Sequence, residues 1–313
     1  MPFHDFASAG IAMADGQWDD AAAMFDSGLE LARESGSGWL SMAVGNRALI
    51  DVHRGQLAQA QARLDDFARR ALPLEFGWDD PGLARLALAE ARGDARSAAA
   101  QATRLWRAAF DRGGELWMAS IAPYVARAGD EALRARMATD VERLPEGQMP
   151  GIDPVREQVR GTQARDVEAV TRAADRIAAA DDVCGAAFAY EEAALLAATQ
   201  GQMQHASRVL RLALDGYERL GATSDSERAR RRAHALGLRP GGPQTRRQPR
   251  SGWDSLTPTE TTIMELVRQG LTNPEIARRL FLSPRTVQTH VSHILQKTNL
   301  RSRVDIAAAT AAR

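Results

Sequence analysis

The segment that follows Pro284 carries polar side chains at helical spacing. At about 100° per residue, one face of a helix would hold amide, hydroxyl and guanidinium groups and no acid. The residues of that face are Arg285, Gln288, Thr289, Ser292 and Gln296, and those of the opposite face are Val287, Val291, Ile294 and Thr298. Groups that both donate and accept hydrogen bonds, with positive charge nearby, suit contact with the base edges and phosphates of a duplex. The alternative is an ordinary amphipathic helix with a solvated face.

Three helix-start signals surround this segment. Thr257, Thr272 and Ser283 stand where N-cap residues are expected, and the first two have Glu260 and Glu275 three positions later. A hydroxyl followed at that spacing by a glutamate forms a capping box, in which each side chain satisfies a backbone N–H. Proline directly after Thr257 and Ser283 suits the first helical position. The sequence therefore predicts three short helices in succession.

The turn between the second and third of these helices is short. About three residues, 281–283, join them, which is the turn length of a helix-turn-helix. Gly270 and Asn299 suit the ends of the first and third helices, because both residues tolerate a left-handed backbone. The third helix is expected at about 284–297.

The same residues resemble a known family. The motifs LTPTE at 256–260, GLTNPEIA at 270–277 and LSPRTVQTH at 282–290 are similar to the LuxR-type helix-turn-helix domain over about 60 residues. The resemblance implies a four-helix domain at 253–313. Its third helix would lie in the major groove of DNA, and its last helix often pairs two copies. Thr298 departs from the family pattern, which usually has an apolar residue at this position.

Site residues are carried over from the resemblance position by position. The base-reading residues would be Gln288, Thr289 and Ser292. The phosphate contacts would come from Arg285, Thr286, Lys297, Arg301 and Arg303.

Charge is distributed unevenly along a chain whose formal net charge is zero. From Arg246 onward, eleven arginine and lysine residues stand against five acids, so the preceding part is acidic. A basic C-terminal part with an acidic remainder points to a polyanionic partner such as duplex DNA. Cys184 is the only cysteine, which excludes an intrachain disulfide and a cage of several cysteines around a metal. No cofactor and no metal site is expected.

Residues 1–238 read as helix almost throughout, because alanine, leucine, arginine and glutamate dominate. A pattern of glycine followed five residues later by alanine recurs and resembles the second helix of tetratricopeptide-type repeats. The clear copies begin at Gly16, Gly55, Gly93 and Gly201, and weaker ones at Gly129 and Gly161. The prediction is an all-α protein with an antiparallel helical-repeat array at 1–238. A non-repetitive helical bundle is the alternative.

Residues 239–252 are rich in proline, glycine and arginine and are expected to form a flexible basic linker. The whole chain resembles the C-terminal part of large ATP-binding LuxR-type regulators without the ATPase, since no P-loop motif occurs. No signal peptide, membrane span or catalytic set of residues is recognised. A cytoplasmic protein that is not an enzyme is therefore expected.

The sequence predicts a sequence-specific DNA-binding transcriptional regulator that acts as a homodimer on DNA. An unknown protein or small molecule would bind the helical array as effector. The rival hypothesis is a protein-interaction scaffold whose helix-turn-helix tail no longer binds operators. A third is a shortened relative of the large regulators that is constitutively active.

Overall fold

The computed structural model describes most of the chain. The described residues are 2–35, 40–70, 79–111, 115–143, 152–238, 253–256, 258–280, 284–300, 302–303 and 305–306. The predicted linker at 239–252 and the predicted caps Thr257 and Ser283 lie outside them.

The described residues form sixteen α-helices and no strand, which confirms the all-α fold class. The helices are α1 Pro2–Ala14, α2 Trp18–Ser35, α3 Leu40–His53, α4 Leu57–Arg70, α5 Asp80–Ala91, α6 Ala95–Asp111, α7 Glu115–Ala128, α8 Glu131–Val141, α9 Ile152–Ala164, α10 Val167–Ala179, α11 Val183–Thr199, α12 Met203–Leu220, α13 Thr223–Ala235, α14 Pro258–Arg268, α15 Asn273–Leu280 and α16 Pro284–Thr298. A 3-10 turn at Trp253–Ser255 precedes α14.

Helices that follow each other in sequence pack against each other from α1 to α13, as in an array of helical hairpins. The four clear glycines of the sequence pattern stand in the turns of these hairpins, all with φ of 75° or 76°. This left-handed conformation costs little for glycine alone. The arrangement is compatible with a tetratricopeptide-like array.

The weaker repeat start at Gly161 is wrong. Gly161 lies within α9, and the turn to α10 is made by Arg165 with φ of 56°. A Cβ atom at Gly161 would lie 3.0 Å from the Cβ of Ala169, so the glycine allows α9 and α10 to approach closely. This glycine serves close helix packing and not a turn, and the sequence pattern cannot separate the two uses.

The two ends of the array meet. The Thr223 hydroxyl at the start of α13 donates to the carbonyl oxygen of Arg54, at 3.0 Å, just after α3. A Cβ atom at Gly16 would approach Leu220 of α12 to 3.1 Å. Helices from the beginning and the end of the array therefore share one hydrophobic core, which extends from Ala9 to Leu238.

Charged and aromatic side chains lie buried inside this closed array. The Glu191 carboxylate accepts hydrogen bonds from Arg228 at 2.7 Å and from the Tyr217 hydroxyl at 2.6 Å. His53 on α3 lies 2.6 Å from a carboxylate oxygen of Asp225 on α13. The contacts of Glu191 join α11, α12 and α13, whereas the contact between His53 and Asp225 joins an early helix to a late one and helps to hold the array closed.

A second, smaller core begins at Leu256 and ends at Ile306. Apolar residues from α14, α15 and α16 form it, and they are Ile263, Leu266, Val267, Ile276, Ala277, Val287, Val291 and Ile294. The fourth helix of the implied domain lies largely outside the described residues, although Arg303, Asp305 and Ile306 have helical conformation. Within the described part of the chain, no helix is long and apolar enough to cross a membrane.

Candidate nucleic-acid interface

Helices α14, α15 and α16 position the polar face predicted from the sequence. Gly270, with φ of 84°, ends the segment after α14. The backbone N–H of Thr272 then donates to the Glu275 carboxylate at 2.7 Å, and the Thr272 hydroxyl donates to the same oxygen. These hydrogen bonds, the backbone one foremost, hold the pKa of Glu275 below its usual value. The carboxylate thereby fixes the start of α15 against which α16 packs.

The predicted base-reading residues share one outward face of α16. Gln288 and Ser292 are exposed and Thr289 is half-buried, whereas Val287, Val291 and Ile294 on the opposite face are buried. The Ser292 hydroxyl donates to the Gln288 carbonyl oxygen at 3.0 Å. The two faces anticipated from helical spacing are thus present in the structure.

A chain of hydrogen bonds reaches this face from the neighbouring elements. The Asn273 amide nitrogen donates to Gln288 Oε1 at 2.6 Å. Arg303 donates through Nη1 to Asn273 Oδ1 at 2.6 Å and through Nη2 to the carbonyl oxygen of Leu271. Arg303, expected from the resemblance to contact phosphate, therefore also ties the turn before α15 to the reading face.

The flank of α16 next to the reading face packs against α2 of the array. Lys297 Nζ lies 2.8 Å from a carboxylate oxygen of Glu260 on α14 and 3.3 Å from one of Asp19 on α2. His290 is fully buried, with Nε2 lying 3.4 Å from Oδ1 of Asp20. Lys297 and His290 on α16 thus meet two acidic residues, Asp19 and Asp20, at the start of α2.

Burial and charge both act on the ionisable groups of this contact. Burial disfavours the charged form of Lys297, but Glu260 and Asp19 outweigh it and raise the pKa of the ammonium group. Burial lowers the pKa of His290, and the nearby carboxylates, Asp20 first among them, offset only part of that effect. Lys297 is therefore held charged, while His290 is held neutral near pH 7.

Other predicted phosphate contacts lie outside what the structure describes. The backbone of Arg285 and Thr286 belongs to α16, but their side chains are outside the described set, and so is Arg301. Lys297 and Arg303 are described, and both already have partners within the chain.

Sequence reasoning missed Asp19, Asp20 and Asn273. Acids are common in the first turn of a helix because the helix dipole stabilises negative charge there. The positions of Asp19 and Asp20 therefore give no sign of a contact with a distant helix. Asn273 appeared only as a residue next to a cap. Its partners lie 15 and 30 residues away, and such pairings are set by tertiary structure.

Comparison with known proteins confirms the resemblance of the C-terminal part. Residues 254–310 match the family described as bacterial regulatory proteins, luxR family. An HTH-type transcriptional regulator of Mycobacterium bovis is 56% identical over 61 residues, which are 20% of this chain and 7% of that protein. The nitrate/nitrite response regulator protein NarL of Escherichia coli is 50% identical over 54 residues, which are 17% of this chain and 25% of NarL.

These similarities span only a small part of the curated relatives, at most a quarter of the length of the two just described. No solved structure matches the chain.

Proposed function

We propose that this chain, whose residues 254–310 form a luxR-family helix-turn-helix domain, is a transcriptional regulator that binds specific DNA sequences through α16. One observation carries the proposal. Gln288 and Ser292 stand exposed on a helix whose opposite face is anchored in a core, and such a helix can enter a major groove without losing its fold.

Affinity and discrimination would come from different side chains. Arg285, Thr286, Lys297, Arg301 and Arg303 would contact phosphates and supply binding that weakens as salt increases. Gln288, Thr289 and Ser292 would contact base edges, where a good bidentate contact discriminates by about 1–3 kcal/mol.

The contact between α2 and α16 gives the array a role in this function. The major groove is about 12 Å wide, and an α-helix with its side chains is about 10–12 Å across, so a second helix does not fit beside the first. Asp19 also adds a second carboxylate to the one that Glu260 places on Lys297, and this opposes contact of the lysine with phosphate. We propose that deep insertion of α16 requires α2 to move away, and that an effector of the array controls this movement.

The remaining parts of the proposal concern the division of labour in the chain. Residues 1–238 would act as the sensing or interaction array, 239–252 as a basic linker and 253–313 as the DNA-binding domain. The protein would work as a homodimer on a site with two half-sites, in the cytoplasm and without enzymatic activity. A homodimer would place one α16 in each of two major grooves about one helical turn apart.

The second candidate function is a protein-interaction scaffold with an inactive tail. Two observations favour the scaffold: residues 1–245 carry a net negative charge, and α16 packs on α2. Both oppose DNA binding by the chain in this conformation.

Selection of duplexes from a random pool by the full chain would separate the two candidates. A DNA-binding regulator would enrich a defined sequence and would bind it with an affinity that falls steeply with salt. Gln288→Ala should reduce discrimination between the selected and a scrambled duplex about tenfold, whereas Gln204→Ala on the exposed part of α12 should not. Absence of any salt-dependent binding to duplex DNA would support the scaffold.

A further inference from the structure

We infer that Asn273 determines which hydrogen-bonding group Gln288 presents to DNA, so that the reading face offers a donor at this position. The inference rests on the proposed function and makes it more specific. It follows from the three-residue chain that joins Arg303, Asn273 and Gln288.

The direction of every hydrogen bond in this chain is fixed by arginine. A guanidinium group has only donors, so the atom of Asn273 that faces Arg303 must be the amide oxygen. The amide nitrogen of Asn273 then faces Gln288, and the atom that it meets must be an acceptor, Oε1. No other assignment of the two amides satisfies both 2.6 Å contacts.

Arg303 is itself held in place. Its second terminal nitrogen donates to the carbonyl oxygen of Leu271, in the turn that leads into α15. Arg303, Asn273 and Gln288 therefore come from three different parts of the small domain. Asn273 is half-buried and Gln288 is exposed, so this series of hydrogen bonds runs from the interior of the small domain to its surface.

With Oε1 engaged, Gln288 directs its Nε2 amide group outward as a donor. In the major groove, guanine presents the acceptors N7 and O6 and thymine presents O4. Adenine presents its acceptor N7 directly beside an amino donor, which opposes an outward donor, and cytosine presents only a donor. The two-bond contact of a glutamine with adenine needs both amide atoms turned toward the base, and here Oε1 is turned toward Asn273. We therefore expect guanine or thymine at the base that Gln288 contacts.

Asn273→Asp tests the inference because it replaces the donor nitrogen that faces Gln288 by an acceptor oxygen. Aspartate accepts from Arg303 and cannot donate, so Gln288 would turn its amide, donate to Asp and present Oε1 to the groove. An outward acceptor pairs with the amino groups of cytosine or adenine. Aspartate also suits the first turn of α15, so the variant should fold.

The experiment is selection from a random duplex pool by the full-length wild type and by N273D. Both should enrich one shared sequence except at one base pair of each half-site. There the contacted base should change from guanine to cytosine or from thymine to adenine, with a preference of about tenfold in each case.

Two further variants act as controls. Gln269→Glu adds the same charge at an exposed position that does not contact Gln288, and it should leave the selected base unchanged. Asn273→Ala frees both amide orientations, so adenine should become acceptable at the same position and the preference should decrease about threefold or more.

Selection of the same base by the wild type and by N273D would overturn the inference and leave the proposed function standing. A switch in Q269E as well as in N273D would overturn it too, since charge alone would then be the cause. A wild type that enriches no sequence would overturn the proposed function and this inference with it.

Discussion

Lys297 of α16 and Asp19 of α2 lie 3.3 Å apart, although 278 residues separate them in the sequence. Arg54 forms an ion pair with the other carboxylate oxygen of Asp19, with Nη2 at 2.7 Å from Oδ1. The Asp19 carboxylate thus meets a cation that the resemblance assigns to phosphate. An intramolecular anion and an external polyanion would compete for the same ammonium group.

Replacing both acids at this contact should strengthen DNA binding by the full chain. In Asp19→Asn/Asp20→Asn the amides keep the size of the side chains, but Lys297 loses the charge of Asp19 and His290 loses that of Asp20, so α2 should separate from α16 more readily. We expect affinity for the selected duplex to rise about tenfold, within the usual range of coupling between sites. Fluorescence anisotropy at fixed salt would measure it.

The matched control for that experiment is Asp65→Asn/Asp66→Asn on α4. This variant changes the net charge equally, at side chains that form only solvent-accessible contacts within or beside their own helix. An equal rise in both double variants would show a general charge effect and contradict a specific restraint.

Acid should weaken the region around His290. The folded state lowers the pKa of this histidine below the ordinary value of about 6.5. A depressed histidine pKa means that the unfolded or separated state binds the proton more tightly. The free energy of unfolding is therefore unaffected by this histidine above about pH 6.5 and decreases as the pH falls below that value, because the unfolded state takes up the proton first.

The groups that face His290 are Asp20 and Asp19 on α2, Glu260 on α14 and His293 on α16 itself. Urea unfolding at pH 7.5 and 5.5 should show a larger loss of stability in the wild type than in His290→Gln, which cannot titrate. Equal losses in the two proteins would assign the pH dependence to another group.

The buried charges inside the array should be costly to break. Burial opposes ionisation of Glu191, but Arg228 and Arg232 prevail and bring the pKa of its carboxyl group to about 2. Glu191→Gln would remove the carboxylate that these arginines share, although Arg228 keeps Asp225 and Arg232 keeps Glu192. Loss of one member of a buried pair costs up to about 3–5 kcal/mol. Chemical denaturation would measure the difference.

Glu142→Gln is the comparison for Glu191→Gln. Glu142 pairs with Arg160 where both side chains are about half exposed, and such surface pairs contribute about 0–1 kcal/mol. Similar destabilisation by the two substitutions would contradict a special role for the buried network.

The cost of the left-handed backbone at the hairpin turns can be measured by replacing a turn glycine with alanine. At Gly201 an added Cβ atom would meet no neighbour within 4 Å, but φ is 76°, so Gly201→Ala should destabilise by about 1–2 kcal/mol through backbone strain alone. Gly10 in α1 is equally open and has no positive φ, so Gly10→Ala should stabilise by about 0.5–1 kcal/mol. Thermal melting would distinguish the two signs.

Local signals in the sequence predicted local structure well. Helix formers, the spacing of Val287 and Val291 and the glycines at hairpin turns each act within a few residues, so the all-α fold and the two faces of α16 could be anticipated. Gly161 was misread because a glycine that permits close helix packing looks the same in sequence as one in a turn. The partners of Lys297 could not be anticipated, because they depend on how distant helices pack.

The closure of the array between Thr223 and Arg54 has a consequence for how this protein loses its structure. Linear repeat proteins fray from free ends, because each terminal unit has a neighbour on one side only. Here α13 is fastened to the beginning of the array, so it lacks the exposed boundary from which fraying starts. The helix that leads toward the C-terminal region should therefore melt together with the middle of the array, as one cooperative transition.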